Sequence, residues 1–230
     1  MTEMFDRVID WLVAGGRLDR VDVIEGRARR CASQEGNALY VAVTLNAVDE
    51  GRQLAQCLID WQWPDGGWNC DRRPSASHSS FHETVWPLRA LATYGVAVRD
   101  TAAIDAVQRA SAFLLRHRLF RSERTGEVID ERWLRIHWPP YWHYDVLGGL
   151  RVLRAVGMLD DARVADALEL LESKQLPDGR FQANRSWWQA PTRATSAVDV
   201  IYWGKNRPSE ALTLQALVVR QAAGRQVGAD

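Results

Sequence analysis

The stretch WNCDRRPSASHSSFHE, from Trp68 to Glu83, concentrates reactive side chains: Cys70, Asp71, His78, His82 and Glu83 share one loop and one helix start. Thiolate, imidazole and carboxylate are the donors that zinc favours. His78 and His82 are four apart, so a helix beginning by Ser77 puts them on one face. Cys70, His78 and His82 then make a metal site, with Asp71 as fourth ligand or base. The plainer reading has Ser77, Ser79 or Ser80 capping the helix, Glu83 meeting its dipole and the histidines on a polar rim. The spacing matches no established zinc signature. Zinc is the one cofactor these residues point to.

A second stretch, HWPPYWHYD from His137 to Asp145, sets two prolines and three aromatic rings before a helix start. A histidine beside a carboxylate in a poorly hydrated aromatic pocket suits general acid–base work. His143 and Asp145, with His82 and Glu83, are accordingly the expected catalytic residues. Against this stands a structural reading in which Asp145 only caps its helix.

Tryptophan is abundant, at 11 of 230 residues. Indole rings line cavities and stabilise flat or cationic ligands, or else plug repeat interfaces. Trp68 and Phe181 read as plugs. Trp142, Tyr144, Trp187, Trp188 and Trp203 are the expected cavity lining, joined by Asn206 and Glu210 from the segment GKNRPSEALTL.

These residues hang on a repeat. LIDWQWPDGGW (Leu58 to Trp68) and LLESKQLPDGRF (Leu170 to Phe181) both end an amphipathic helix and continue as Gln-x-Pro-Asp-Gly-x-aromatic. Proline stops the helix, and Asp-Gly makes a tight turn with a residue at positive φ. Apolar helices are expected from Asn37, Phe81, Trp142 and Ser209, three of them with an acid in the first turn (Glu83, Asp145, Glu210). More charged helices lie between, at Gly51–Trp61, Ala106–Arg118 and Ala162–Lys174. The apolar set is buried on several sides and the charged set keeps one wet face. Inner and outer helices thus alternate over about residues 37–221, with the inner helices parallel and their acids on one rim. No strand pattern stands out, though Ala197–Trp203 could be extended. Residues 1–230 read as a single domain.

Composition narrows the function classes. Lys+Arg and Asp+Glu balance at 29 each, so no bulk field recruits nucleic acid or anionic membrane. Two of those 29 cations are lysines (Lys174 and Lys205) and the other 27 are arginines; Arg27, Arg29 and Arg30 form a cluster able to grip an anion, against the plainer reading that the arginines are simply solvated. Three cysteines, Cys31, Cys57 and Cys70, do not make a disulfide framework. The first residues lack a signal-peptide pattern, and no run of about 18 apolar residues occurs. A cytoplasmic protein without a membrane span is expected.

The motifs QWPDGGW (Gln62–Trp68) and QLPDGRF (Gln175–Phe181), with the inner–outer alternation, resemble the QW repeats of the terpenoid cyclase and protein prenyltransferase superfamily, the α/α toroids that include squalene cyclases. The resemblance implies an all-α fold: a partial α/α toroid of about four helical hairpins. It also implies a small hydrophobic, isoprenoid-like molecule as ligand or substrate. The Asp-rich DxDD and DDxxD strings of the cyclases do not occur, and the zinc-ligand spacing of the prenyltransferases is not reproduced. Three functions follow as expectations: an acid–base enzyme on an apolar substrate, a non-catalytic module that binds or senses a hydrophobic molecule, or a zinc-dependent hydrolase or lyase. A shortened ring can complete itself as a homodimer.

Overall fold

The computed structural model describes residues 3, 7, 11, 18, 20–141, 143–184 and 207–225. The chain is mostly helical, with one small two-stranded sheet. The helices are α1 (Ala32–Thr44), α2 (Val48–Asp60), α3 (Phe81–Val98), α4 (Thr101–Arg116), α5 (Val146–Ala155), α6 (Ala165–Glu172) and α7 (Glu210–Ala222). No described helix is long and apolar enough to cross a membrane. The chain divides into two compact units, Met1–Leu114 and Leu115–Asp230.

In the first unit, α1 and α3 pack as a parallel pair. Ser33 meets Glu83, Gly36 meets the Trp86–Pro87 backbone, and Arg89 stacks on Tyr40, so contacts advance together along both helices. Gly36 permits this approach: a Cβ there would lie 2.7 Å from Pro87 N. Both helices bury residues round much of their circumference. The more amphipathic α2 buries Leu54, Ala55 and Leu58 and exposes its charges.

The sheet is a hairpin, β1 (Asp22–Ile24) and β2 (Arg27–Arg29), which the sequence pattern did not announce. Its strands are three residues long, too short to show alternation. The turn signal was present: Glu25 and Gly26 both sit at positive φ (51° and 69°), the requirement of a two-residue type I′ turn. The arginine cluster is absorbed here. Buried Arg29 donates to Ala76 O and Ile24 O and stacks on Trp63, while Arg30 pairs with Glu35 and Arg27 donates to Glu25 O.

The two Pro-Asp-Gly turns are wired alike. In the first, Gln62 Nε2 donates to Gly66 O (2.7 Å) and Gln62 Oε1 accepts from Arg109 Nε (2.8 Å). The Trp63 N–H closes the turn on Gly67 O, and Ser80 N–H reaches Trp68 O. In the second, Gln175 Nε2 donates to Gly179 O (2.9 Å) and Gln175 Oε1 accepts from Arg220 (2.6 Å). The Leu176 N–H closes on Arg180 O, and Ser209 N–H reaches Phe181 O. Both terminal rings are buried plugs whose N–H groups meet a threonine hydroxyl, Thr84 for Trp68 and Thr213 for Phe181. Trp68 adds an indole hydrogen bond to Leu58 O.

The second unit packs α5 against α6 and α7. Residues 121–133 form an ordered excursion: Ser122 and Glu127 are hydrogen-bonded, Arg121 bridges Val128, and Gly126 sits at φ 72°.

Candidate functional site

Among the described residues, one set of side chains could share a metal ion: Cys31, Cys70 and Glu83, whose donor atoms all lie within 4.8 Å of one another. Three local structures place them. Cys31 stands at the N-cap of α1 and makes no capping hydrogen bond. Cys70 follows the Trp68 plug, on a strand-like segment tied to β2 by the Arg29–Asn69 bridge and the Arg30 N–H to Asn69 O bond (3.2 Å). Glu83 lies in the first turn of α3, buried, and reaches across to the partner helix. Its Oε2 accepts from Ser33 N (2.9 Å), serving the open amino end of α1 that Cys31 leaves uncapped. Its Oε1 faces the Cys70 thiol at 3.9 Å.

Burial dominates the electrostatics. It raises the Glu83 carboxyl above its usual range, against the Ser33 hydrogen bond, with the Glu35 carboxylate adding to the rise. It pushes the Cys70 thiol up to about 12, helped by the hydrogen bond to Cys31 and the charge of Glu83. A thiol in such surroundings keeps its proton until a cation displaces it. Glu35, fully buried in α1, gives one oxygen to Arg30, and its other oxygen has no hydrogen-bond partner.

The other expected residues are placed as follows. His78 is exposed and lies before the helix, which begins at Phe81 rather than by Ser77; its carbonyl accepts from Asn69 Nδ2 (2.8 Å). The loop is drawn out instead of coiled because Asp65 grips Ser79, accepting from its N–H (2.7 Å) and hydroxyl (2.6 Å). His78 and His82 therefore share no helical face. Asp71 turns to Arg73, whose guanidinium holds its carboxyl down at about 2. Half-buried His82 is the second residue of α3, beside Glu83. Cys31 is the member the sequence reading missed: it lies 39 positions upstream, and no spacing rule connects it to Cys70.

In the second unit, Asp145 caps α5 by accepting from Gly148 N (2.8 Å). Its other oxygen accepts from His137 N (2.8 Å) and lies 3.3 Å from His137 Nδ1, with both residues buried. The histidine at this carboxylate is thus His137, whereas His143 is half-buried and its N–H donates to Pro140 O (3.0 Å). Tyr144 is fully buried; its hydroxyl donates to Leu119 O (2.6 Å), and its ring meets Trp133 edge-on. Glu210, the first residue of α7, is exposed. Trp142, Trp187, Trp188, Trp203 and Asn206, with the stretch 197–203, lie outside the described residues.

No protein-family model matches the chain, and no curated protein matches it.

Proposed function

We propose that this chain is a metal-dependent enzyme that holds a zinc-class ion through Cys31, Cys70 and Glu83. The observation that supports it is the convergence of two sulfur atoms and a carboxylate oxygen within 4.8 Å from three separate segments. That mixed donor set selects zinc over calcium or magnesium, which want oxygen alone. Three protein donors leave one of four tetrahedral positions open, the arrangement of a catalytic ion rather than a structural one. An ion held there would supply Lewis-acid polarisation of a substrate oxygen, which supports a hydrolysis or a lyase-type elimination.

The chain's own groups do the rest. Glu83 Oε2 is held by the α1 amide while Oε1 faces the Cys70 thiol. The thiols are half-buried rather than sealed in the core. An apolar, isoprenoid-like substrate follows from the likeness of the Gln62–Trp68 and Gln175–Phe181 turns to QW repeats. So does the extension of the parallel α1–α3 pair into a partial α/α toroid, and the enzyme reading replaces passive ligand binding on the strength of the donor cluster.

The test is elemental analysis of protein purified without a metal-affinity tag. Near-stoichiometric zinc, lost in Cys31→Ser and in Cys70→Ser but kept in His78→Ala, is the expected result. Zinc-free protein, or zinc retained in both cysteine variants, overturns the assignment.

A further inference from the structure

We infer that Cys31 and Cys70 are a reversible dithiol, closing to a disulfide on reaction with a low-molecular-weight disulfide such as oxidised glutathione. The pairing rests on backbone as well as sulfur positions. A disulfide needs Cα atoms about 4.4–6.8 Å apart and sulfurs about 2.05 Å apart. Each cysteine directly follows one partner of a main-chain hydrogen bond, Arg30 N–H to Asn69 O at 3.2 Å, within a parallel bridge between Arg29 and Asn69. That register sets Cys70 opposite Arg30, one position from Cys31, and a one-residue offset between strand-like segments about 4.8 Å apart gives a Cα separation of about 6 Å, inside that window. The two sulfurs already lie within 4.8 Å of one another, and rotation about the Cα–Cβ bonds supplies the remaining approach. Both thiols are free and half-buried, so a small oxidant can reach them.

The exchange balances in two steps. The Cys31 thiol loses its proton to solvent and attacks one sulfur of glutathione disulfide, forming a mixed disulfide and expelling one glutathione thiolate, which takes up a proton. The Cys70 sulfur then attacks Cys31 Sγ and displaces the second glutathione thiolate. The Cys70 proton passes toward Glu83 Oε1, the carboxylate oxygen 3.9 Å from its sulfur, and on to the departing thiolate. Two protein thiols are oxidised and one glutathione disulfide is reduced to two glutathiones. Where zinc is held as proposed above, and this half of the inference rests on that reading, closure removes two of its three donors and releases it.

Folded, untagged protein incubated with excess glutathione disulfide is digested without reduction and mapped by mass spectrometry, with released zinc followed by a chromogenic chelator. The expected result is a cross-linked peptide pair containing Cys31 and Cys70, reversed by dithiothreitol, while Cys57 on α2 reports general thiol oxidation. Zinc release tracks closure. Stable glutathione adducts on Cys31 or Cys70 with no link between them, in protein that keeps its helical circular dichroism, overturn the inference. A link formed in protein isolated without zinc sustains the dithiol and sinks the metal reading; zinc bound with no link does the reverse.

Discussion

The two Pro-Asp-Gly turns share their scaffold and differ in the side chains that follow the plug. Their hydrogen bonds set the alignment: Gln62 matches Gln175, Trp68 matches Phe181, Ser80 matches Ser209 and Thr84 matches Thr213. On that register Cys70 falls opposite Ala183 and Glu83 opposite Leu212, both buried in the second unit. One copy thus carries a methyl and an isobutyl group where the other carries a thiol and a carboxylate. A buried carboxylate is expensive unless paired or bonded, whereas leucine at the same place is favourable. The second turn thus closes without a carboxylate at this position, whereas in the first Glu83 also accepts from the Ser33 N–H at the start of α1.

The largest expected effect comes from forcing the second copy to resemble the first. Leu212→Glu places an unpartnered carboxylate in the core of the second unit and should cost about 4 kcal/mol in urea unfolding. A cost near zero would mean the two positions are not equivalent. Next comes the turn glycine. A Cβ at Gly66 would stand 2.3 Å from Arg109 O, and its φ is 102°; Gly66→Ala should lose ~3 kcal/mol or more. Gly179 has φ 81° but its nearest neighbour is a flexible Gln175 side chain at 3.6 Å, so Gly179→Ala should lose only about 1 kcal/mol. Equal losses would show the first turn to be no more tightly packed than the second.

Glu83→Leu converts the first copy to the second. The gain from burying an apolar group offsets the loss of the Ser33 N–H partner, so stability should move by less than ~1 kcal/mol while zinc falls to background. A large destabilisation would instead make Glu83 chiefly the cap of α1. The smallest effect lies outside both turns. Arg163 holds the Asp161 carboxyl down at about 2, from the usual 3.8. A group with a lowered folded pKa contributes stability above its unfolded pKa and loses it as pH falls through the folded one. Its share should therefore fade between about pH 4 and pH 2. The pair is exposed, so Asp161→Asn should remove only ~0.3 kcal/mol at pH 7 and flatten that part of the acid-unfolding curve.

Much of the scaffold was legible because it is local. Gln-x-Pro-Asp-Gly-x-aromatic contains its own physics: a helix stop, a residue forced to positive φ, a glutamine within reach of the turn it closes and a ring to bury. The outer helix expected at Gly51–Trp61 is Val48–Asp60, and the inner helix expected from Phe81 begins there, because amphipathic period and breakers fix such elements within a few residues. The hairpin at Asp22–Arg29 escaped, its strands being shorter than the period that reveals them.

The candidate site divides along the same line. The sequence by itself determined that Cys70 stands close to a repeat turn, two residues after its plug, and that Glu83 lies in the first turn of the helix that follows. It could not determine which atoms meet. Asp65 draws Ser79 away from the helix and leaves His78 in solvent, the parallel α1–α3 crossing brings Glu83 to the amino end of α1, and the Arg30–Asn69 bond delivers Cys31. Likewise Asp145 meets His137 through a loop that folds back, not the nearer His143. Periodicity and turn chemistry act over a few residues and can be read from one segment. Coordination depends on side chains from three segments meeting within a few ångströms, and only the packed tertiary structure fixes that.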